Sequence, residues 1–207
     1  MADIDLWADV RCPWCWIGSR RLREAVRRVR SKTRVRHRSY LLEPNGPRTP
    51  GRPMAAIAVE EWGMNTEQWR AKSALIRAEG HREGLEINID TALTFDSRPA
   101  HRLLKLADAQ GINGHTSWDA VFDAHFRHNR DLGDHAVLRD VATTLGLADI
   151  DSLLSGTDFA EDVWADHHEA ERNIRSVPTV VIGGQTLSGS RSTAELAEFI
   201  THAEATR

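Results

Sequence analysis

The stretch that decides the fold lies near the N terminus and reads IDLWADVRCPWC over residues 4–15. Apolar and polar residues alternate in its first part, which predicts a strand over residues 4–10. Beyond it, apolar side chains recur at helical spacing, at Leu22, Ala25, Val26 and Val29. Pro13 suits the first turn of that helix, where an N–H would have no partner. The two cysteines are therefore predicted to lie where a strand gives way to a helix N terminus.

Further strands and loops are predicted along the chain after this stretch. A second strand is predicted over residues 33–42, parallel to the first, and the two strands with their helix make a βαβ unit. Residues 43–53 contain four prolines and two glycines, which predict a loop at a domain boundary. Near the C terminus, residues 177–187 indicate a hairpin with Gly183-Gly184 at its turn. The segment between loop and hairpin is predicted to be almost entirely helical.

Capping residues mark where several helices begin. The predicted starts are the capping boxes Asn65/Gln68 and Ser192/Glu195, the cap Asp134, and the pair Asp158 and Glu161. The fold class is therefore α/β: a βαβ half and a ββα half that together form a four-stranded mixed sheet with helices on both faces. Residues 1–45 and 174–207 are predicted to form this core, and residues 46–173 an inserted all-helical domain.

The composition excludes several classes of protein. The chain has 207 residues, 41% of them hydrophobic, and a formal net charge of −3, which is ordinary for a globular protein. It contains neither an apolar stretch long enough to span a membrane nor a basic, apolar leader, so we expect a cytoplasmic protein. Residues 20–38 carry ten arginines or lysines, but no aromatic residues are interleaved in their helical part to stack on bases. A solvated helix face is favoured, and neither nucleic acid nor membrane is an expected partner.

Cys12 and Cys15 are the only cysteines, which excludes a disulfide framework and a zinc site of four thiolates. A helix N terminus presents unpaired N–H groups and partial positive charge, which favours the thiolate, the nucleophile of disulfide exchange. Cys12 is therefore predicted to be the nucleophile and Cys15, one helical turn on, the resolving thiol. Pro13 and Trp14 lie between the two cysteines. They set the stiffness of the motif loop and so the reduction potential of the cysteine pair.

Two interpretations without redox chemistry remain open for this pair. The cysteines could be buried packing residues, or half of a zinc site completed by histidines. The candidate histidine pairs are His125 with His128 and His167 with His168. Neither pair has the sequence context of a zinc finger, so no metal site is predicted. His101 and His125 are interpreted as packing residues on apolar helix faces.

These motifs resemble the DsbA family of the thioredoxin superfamily, specifically the branch often called FrnE-like. The resemblance extends over nearly the whole chain and is carried by residues 9–18 (DVRCPWCWIG), 100–103 (AHRL), 122–126 (FDAHF) and 177–182 (VPTVVI). It implies a thioredoxin-like core with an inserted helical domain and a cis Val177–Pro178 bond facing the cysteines. It also implies that the backbone before this proline pairs with a bound substrate chain.

Trp14 and Trp16 flank the second cysteine. We expect Trp14 to be partly exposed and Trp16 to lie in the core or at an interface, and an exposed aromatic here would favour apolar peptides. Trp16 is accordingly included, with Val177 and Pro178, among the candidate substrate-binding residues.

The sequence also departs from the family it resembles. Ser176 stands where the family usually has glycine, and Gly189-Ser190-Arg191 differs from the usual residues after the last strand. Both departures affect the surface beside the cysteines that would face a substrate. Related branches, the kappa-class glutathione transferases and the hydroxychromene carboxylate isomerases, typically carry serine where this chain has Cys12, which argues against an isomerase.

The resulting hypothesis is a cytoplasmic thiol–disulfide oxidoreductase that acts on protein or small-molecule thiols and disulfides. No cofactor is expected, although a low-molecular-weight thiol such as glutathione or mycothiol is a possible co-substrate. One alternative is a transferase or isomerase that uses a bound small thiol. Another is a protein without enzymatic activity that binds unfolded chains or metal.

Overall fold

Four strands form one mixed sheet in the computed structural model, which describes residues 3–206. They are β1 (Ile4–Ala8), β2 (Val35–Ser39), β3 (Thr179–Ile182) and β4 (Gln185–Ser188), in the spatial order β2-β1-β3-β4. β1 pairs parallel with β2 and antiparallel with β3, and β3 pairs antiparallel with β4. The predicted mixed sheet and its hairpin are confirmed.

β1 is shorter than the sequence predicts because the chain turns immediately after it. The carbonyl of Asp9 accepts a hydrogen bond from the N–H of Cys12 at 3.0 Å. The carboxylate of Asp9 accepts another from the N–H of Arg11 at 2.9 Å. These bonds end the strand at Ala8 and direct the chain into the first helix.

Nine α-helices complete the described part of the chain, and a π-helical turn, Asp123–Arg127, continues the fifth of them. Their bounds are α1 Pro13–Val29, α2 Met54–Glu60, α3 Thr66–Arg82, α4 Arg98–Ala109, α5 Gly114–Phe122, α6 His135–Leu145, α7 Ile150–Ser155, α8 Ala160–Asn173 and α9 Thr193–Ala205. Helices α2 to α8 all lie between β2 and β3 in the chain. Within residues 3–206, no helix combines the length and apolar character that a membrane crossing requires.

Most predicted helix starts are confirmed by side-chain hydrogen bonds. Both capping boxes are present, at the start of α3 and of α9, and Asp134 accepts from the N–H of Ala136 at the start of α6. The expected start at Asp158 is wrong by one residue. The N-cap of α8 is Phe159, in a left-handed conformation with φ 60° and without a side-chain cap, and Glu161 lies in the first turn.

The sheet is covered by helices on both faces. Ile4 and Leu6 of β1 point to one face, where they pack against α1 and α9. Trp7, the residue after Leu6, points to the other face and packs against Ala170 of α8 and Ile174. The two-residue period of the strand therefore gives each layer of helices its own apolar surface.

The largest core cluster joins the start of α1 to the helices inserted between β2 and β3. Trp16 stacks on Phe122 with ring centroids 6.0 Å apart and on Phe126 at 6.2 Å. The helix that carries both cysteines thus packs against the inserted helices as well as the sheet. The division of the chain into a core and a separate inserted domain stays a prediction.

Cations of the basic segment, residues 20–38, are paired with carboxylates. Arg20 lies 3.0 Å from Asp119 of α5. Arg36 lies 2.7 Å from Asp5 of the neighbouring strand. These pairs offset much of the positive charge that the sequence concentrates in this segment.

Candidate active site

The two cysteines lie at the start of α1. Cys12 is the N-cap residue, with an extended backbone (φ −99°, ψ 110°), and Pro13 occupies the first turn. The carbonyl of Cys12 accepts a hydrogen bond from the N–H of Cys15 at 3.0 Å, so the second cysteine is part of the first helical turn. Both thiols are free. Cys12 is 7% exposed and Cys15 is fully buried, so only Cys12 has surface open to solvent.

The thiol of Cys12 faces the loop before β3. Its Sγ lies 3.8 Å from the carbonyl oxygen of Val177, to which the thiol donates. The Val177–Pro178 peptide bond is cis, as the resemblance implies. The carbonyl of Pro178 accepts from the N–H of Gly189 at 2.8 Å, and the hydroxyl of Thr179 donates to the carbonyl of Ser176 at 2.6 Å. Hydrogen bonds on both sides therefore hold this loop against the cysteine pair.

Burial separates the chemistry of the two thiols. Burial raises the pKa of Cys15 well above its usual value, because an apolar surrounding disfavours the thiolate. The hydrogen bond and charge interaction with Cys12 act in the same direction. Cys15 is thus protonated at neutral pH.

A buried carboxylate, Asp9, lies directly behind the motif. Burial alone would raise its pKa, but the interactions with His101 and with the backbone N–H groups of Leu42 and Arg11 outweigh burial and lower it. The N–H of Leu42 donates to this carboxylate at 2.6 Å. The Nε2 atom of His101 lies 3.6 Å from it, longer than an ordinary hydrogen bond, and Nδ1 of the same ring lies 3.0 Å from the hydroxyl of Ser39.

The model of the DSBA-like thioredoxin domain family matches residues 3–201 of the chain. The chain belongs to this family. A curated relative, the uncharacterized protein YwbO of Bacillus subtilis (strain 168), is 25% identical over 198 residues, which cover 90% of both proteins. Among solved structures, a probable DsbA oxidoreductase from Streptomyces coelicolor superposes with a TM-score of 0.93 at 27% identity, covering 100% of this chain and 92% of that one.

Two more distant structures share the DsbA-like fold. One is the cytosolic disulfide reductase DsbM of Pseudomonas aeruginosa, with a TM-score of 0.65 and 17% identity over 99% of this chain and 100% of that one. The other is a 2-hydroxychromene-2-carboxylate isomerase, with a TM-score of 0.69 and 16% identity over 96% and 94%. Family membership together with the DsbA-type structures supports a thiol–disulfide oxidoreductase.

The tryptophans of this DsbA-like motif have different environments. Trp14 is half-buried between the cysteines, as expected. Trp16 is 2% exposed, and its indole N–H donates to Asp119 at 2.9 Å. Its ring is a core element that joins α1 to α5, so its burial does not support the substrate contact considered from the sequence.

Buried histidines of the DsbA-like chain pack against aromatic rings. Among residues 3–206, no group of three or more His, Cys, Asp or Glu side chains is arranged to hold a metal ion. His125 is fully buried, and burial lowers its pKa to about 3. It packs edge-on to Phe95, in keeping with its interpretation as a packing residue.

The sequence motifs predict no role for Asp9, which lies behind the cysteine pair, or for Gly18, which lies against Pro178. Asp9 could have been found from its place, since a carboxylate at the end of a buried strand and three residues before a cysteine needs partners. Gly18 could have been found because glycine is unfavourable inside a helix. Neither signal identifies the partner, which comes from distant parts of the chain.

Proposed function

We propose that this chain is a cytoplasmic thiol–disulfide oxidoreductase in which Cys12 is the nucleophile and Cys15 the resolving thiol. The observation that carries the proposal is the asymmetry of the pair. Cys12 lies at the helix N-cap with its sulfur 3.8 Å from the carbonyl oxygen of Val177, whereas Cys15 is fully buried one helical turn further on.

The reaction proceeds through two exchanges of sulfur partners. The Cys12 thiolate attacks one sulfur of a substrate disulfide, a mixed disulfide forms, and the other substrate sulfur leaves as a thiolate. Cys15 then loses its proton and attacks the Cys12 sulfur. This step forms the Cys12–Cys15 disulfide and releases the remaining substrate sulfur, so the substrate gains two electrons and the enzyme loses two.

The residues beside Pro178 would hold the substrate during these steps. A substrate chain that lies extended along the loop pairs its backbone with that of Val177, which is peptide capture by strand addition. Such pairing is independent of side-chain identity, so it suits an enzyme that acts on the disulfides of different proteins. Trp14, half-buried between the cysteines, adds an apolar contact next to the reacting sulfur.

A low-molecular-weight thiol is the proposed electron donor. Two molecules of glutathione or mycothiol reduce the Cys12–Cys15 disulfide and leave as one small disulfide, which closes the cycle without a further cofactor. One structure of the DsbM neighbour contains glutathione. That neighbour is described as cytosolic. The cytosol contains small thiols that keep cysteines reduced, so it favours the reduction of substrate disulfides.

Insulin reduction with glutathione as the donor tests this proposal. We expect the wild-type chain to reduce insulin and Cys12→Ser to abolish the activity. Cys15→Ser should accumulate a mixed disulfide, since the resolving step is lost. Because the chain has only these two cysteines, intact-mass measurement assigns the adduct to Cys12 without proteolysis.

Controls separate the proposal from its rivals. Thr201→Ala, on the exposed surface of α9, should retain full activity. Exchange activity that survives Cys12→Ser would contradict the mechanism. Tight retention of glutathione combined with full activity of Cys15→Ser would indicate a transferase or isomerase, and thiols that zinc protects from alkylation would indicate a metal-binding protein.

A further inference from the structure

Gly18 lies in the second turn of α1, the helix that begins at the cysteine pair. It is buried, and the residues on either side of it are also part of the helix. Glycine destabilises a helix interior relative to alanine, because it loses more backbone freedom on folding. A glycine here therefore requires a reason outside the helix itself.

The reason is the closeness of Pro178. A Cβ atom added at position 18 would lie 2.8 Å from Cγ and 3.2 Å from Cβ of the proline ring. Both distances are below ordinary van der Waals separation between carbon atoms. A proline ring cannot rotate aside as the tip of a long side chain can, so a side chain at position 18 would have to displace the loop itself.

The loop has little freedom to move along the sheet. The carbonyl of Pro178 is bonded to the N–H of Gly189 at 2.8 Å, and Thr179 is tied to Ser176 at 2.6 Å and to the hydroxyl of Ser188 at 3.0 Å. The remaining direction for the loop is away from α1. That movement lengthens the contact between the carbonyl of Val177 and the sulfur of Cys12, which is 3.8 Å in the structure.

We propose that Gly18 is a positioning residue for disulfide exchange: its missing side chain lets Pro178 rest directly on α1, and this contact sets the spacing between the Cys12 sulfur and the Val177 backbone. The inference rests on the proposed function of the cysteine pair. The contact between Gly18 and Pro178 explains how Val177, which would hold the substrate, and Cys12, which attacks it, keep a constant separation although they lie far apart in the chain.

The test compares Gly18→Ala with Gly80→Ala. Gly80 is a matched control because it is also a buried glycine inside a helix, α3, and a Cβ there would lie 2.7 Å from Cδ1 of Ile87. Its crowded neighbour is a flexible side-chain tip far along the chain from the cysteines. Any general cost of crowding a helix should therefore occur in both variants.

We expect Gly18→Ala to lower kcat/KM for insulin by about tenfold or more, since a small misplacement of substrate relative to the nucleophile has large kinetic effects. The loss should fall mainly on KM, because the binding backbone moves and the thiols do not. Alkylation of Cys12 by iodoacetamide should become faster by about threefold, since reactivity increases with exposure. Gly80→Ala should leave both quantities within about twofold of wild type, as expected for a substitution away from the site.

Equal values of kcat/KM and of alkylation rate in Gly18→Ala and wild type would overturn the inference. If wild type itself lacks exchange activity, the proposed function fails, while the alkylation rates still decide the role of Gly18. If Gly18→Ala does not fold, the substitution is repeated in a Pro178→Gly background, which lacks both crowded ring atoms. A double variant as stable as Pro178→Gly alone supports a clash with the proline ring, and a double variant that is less stable than Pro178→Gly contradicts it.

Discussion

Asp9 shows how one buried carboxylate organises the start of the active site. It has no exposure to solvent, and its two oxygens accept from the N–H groups of Arg11 and Leu42 at 2.9 and 2.6 Å. These bonds shape the turn that leads from β1 to Cys12. Since hydrogen bonds to a carboxylate favour its ionised form, Asp9 stabilises the fold as an anion.

Asp9→Asn should destabilise the protein by about 2 kcal/mol near neutral pH, because the amide leaves a buried N–H donor facing another donor. The interactions of Asp9 with His101, Leu42 and Arg11 lower its pKa below 3.8 in spite of burial, so its contribution is complete above about pH 4 and is lost as the pH falls further. Urea unfolding near pH 7 measures the first effect, and urea unfolding near pH 3, below the pKa of an unfolded aspartate, measures the second. An Asp9→Asn variant as stable as wild type near pH 7 would contradict this account.

His125 is the opposite case, a buried base for which burial outweighs the interactions that favour its protonated form. Neither ring nitrogen has a hydrogen-bond partner among the described residues. Burial lowers its pKa to about 3, whereas an unfolded chain binds this proton near pH 6.5. Stability must therefore fall as the pH drops below about 6.5, since only the unfolded chain takes up the proton.

Uptake of one proton by the unfolded chain alone lowers the free energy of unfolding by about 1.4 kcal/mol for each pH unit between about pH 6 and pH 4. We expect His125→Leu to remove this contribution. Urea midpoints measured across this range give the slope. Leu138→Ala, at a fully buried apolar position of α6, is the control: it should lower stability at every pH without changing the slope. A slope in His125→Leu that equals wild type would show that another group governs the acid sensitivity.

At the scale of elements, capping residues determine where a helix begins, and its apolar face then packs against distant parts of the chain. α9 begins with a capping box in which Ser192 accepts from the N–H of Glu195. Its apolar face, with Leu196 and Ile200, packs under the sheet beside α1. The cap thus supports the helix that packs against α1.

Ser192→Ala should lower the free energy of unfolding by about 1 kcal/mol, the usual cost of losing an N-cap. Exchange activity should be unchanged, because the buried residues of α9 belong to a different core cluster from the two cysteines. Thr201→Ala in the middle of the same helix is the matched control and should not destabilise the protein, since alanine is the better helix former. The prediction fails if the two variants unfold at the same urea concentration as each other.

At the scale of the whole molecule, the inserted helices and the start of α1 share one large core. The cluster that contains Cys15, Trp16 and Ile17 also contains Phe122 and Phe126 from the segment after β2. Ion pairs cross the same boundary, as between Arg21 of α1 and Glu83 at 2.7 Å. Removing the inserted helices would expose the apolar surface on which the start of α1 rests.

A chain in which a short glycine-serine linker replaces residues 46–173 should therefore not form a cooperative fold. The exposed apolar surface of Trp16 and Ile17 would lose the burial that stabilises α1. Circular dichroism and binding of an apolar dye distinguish the outcomes. A cooperative thermal transition in the shortened chain would show that the sheet and its helices form an independent domain.

The sequence by itself determined the elements whose signals are local. Alternation in β1, the Gly183-Gly184 hairpin, the capping boxes and the position of the cysteines at a helix start all depend on residues a few places apart. Their conformational preferences act before any distant contact is made. The same patterns were sufficient to expect the mixed sheet, because βαβ and ββα halves have few ways to combine.

Only the tertiary structure decided which side chains share an environment. The contact of Gly18 with Pro178, the ring of His101 beside Asp9, and the burial of Trp16 against α5 join residues distant in the chain. Periodicity gives the face of a helix on which a residue lies, but not the partner that covers that face. Partners depend on how the elements pack together, which is a property of the whole chain and has no local signal.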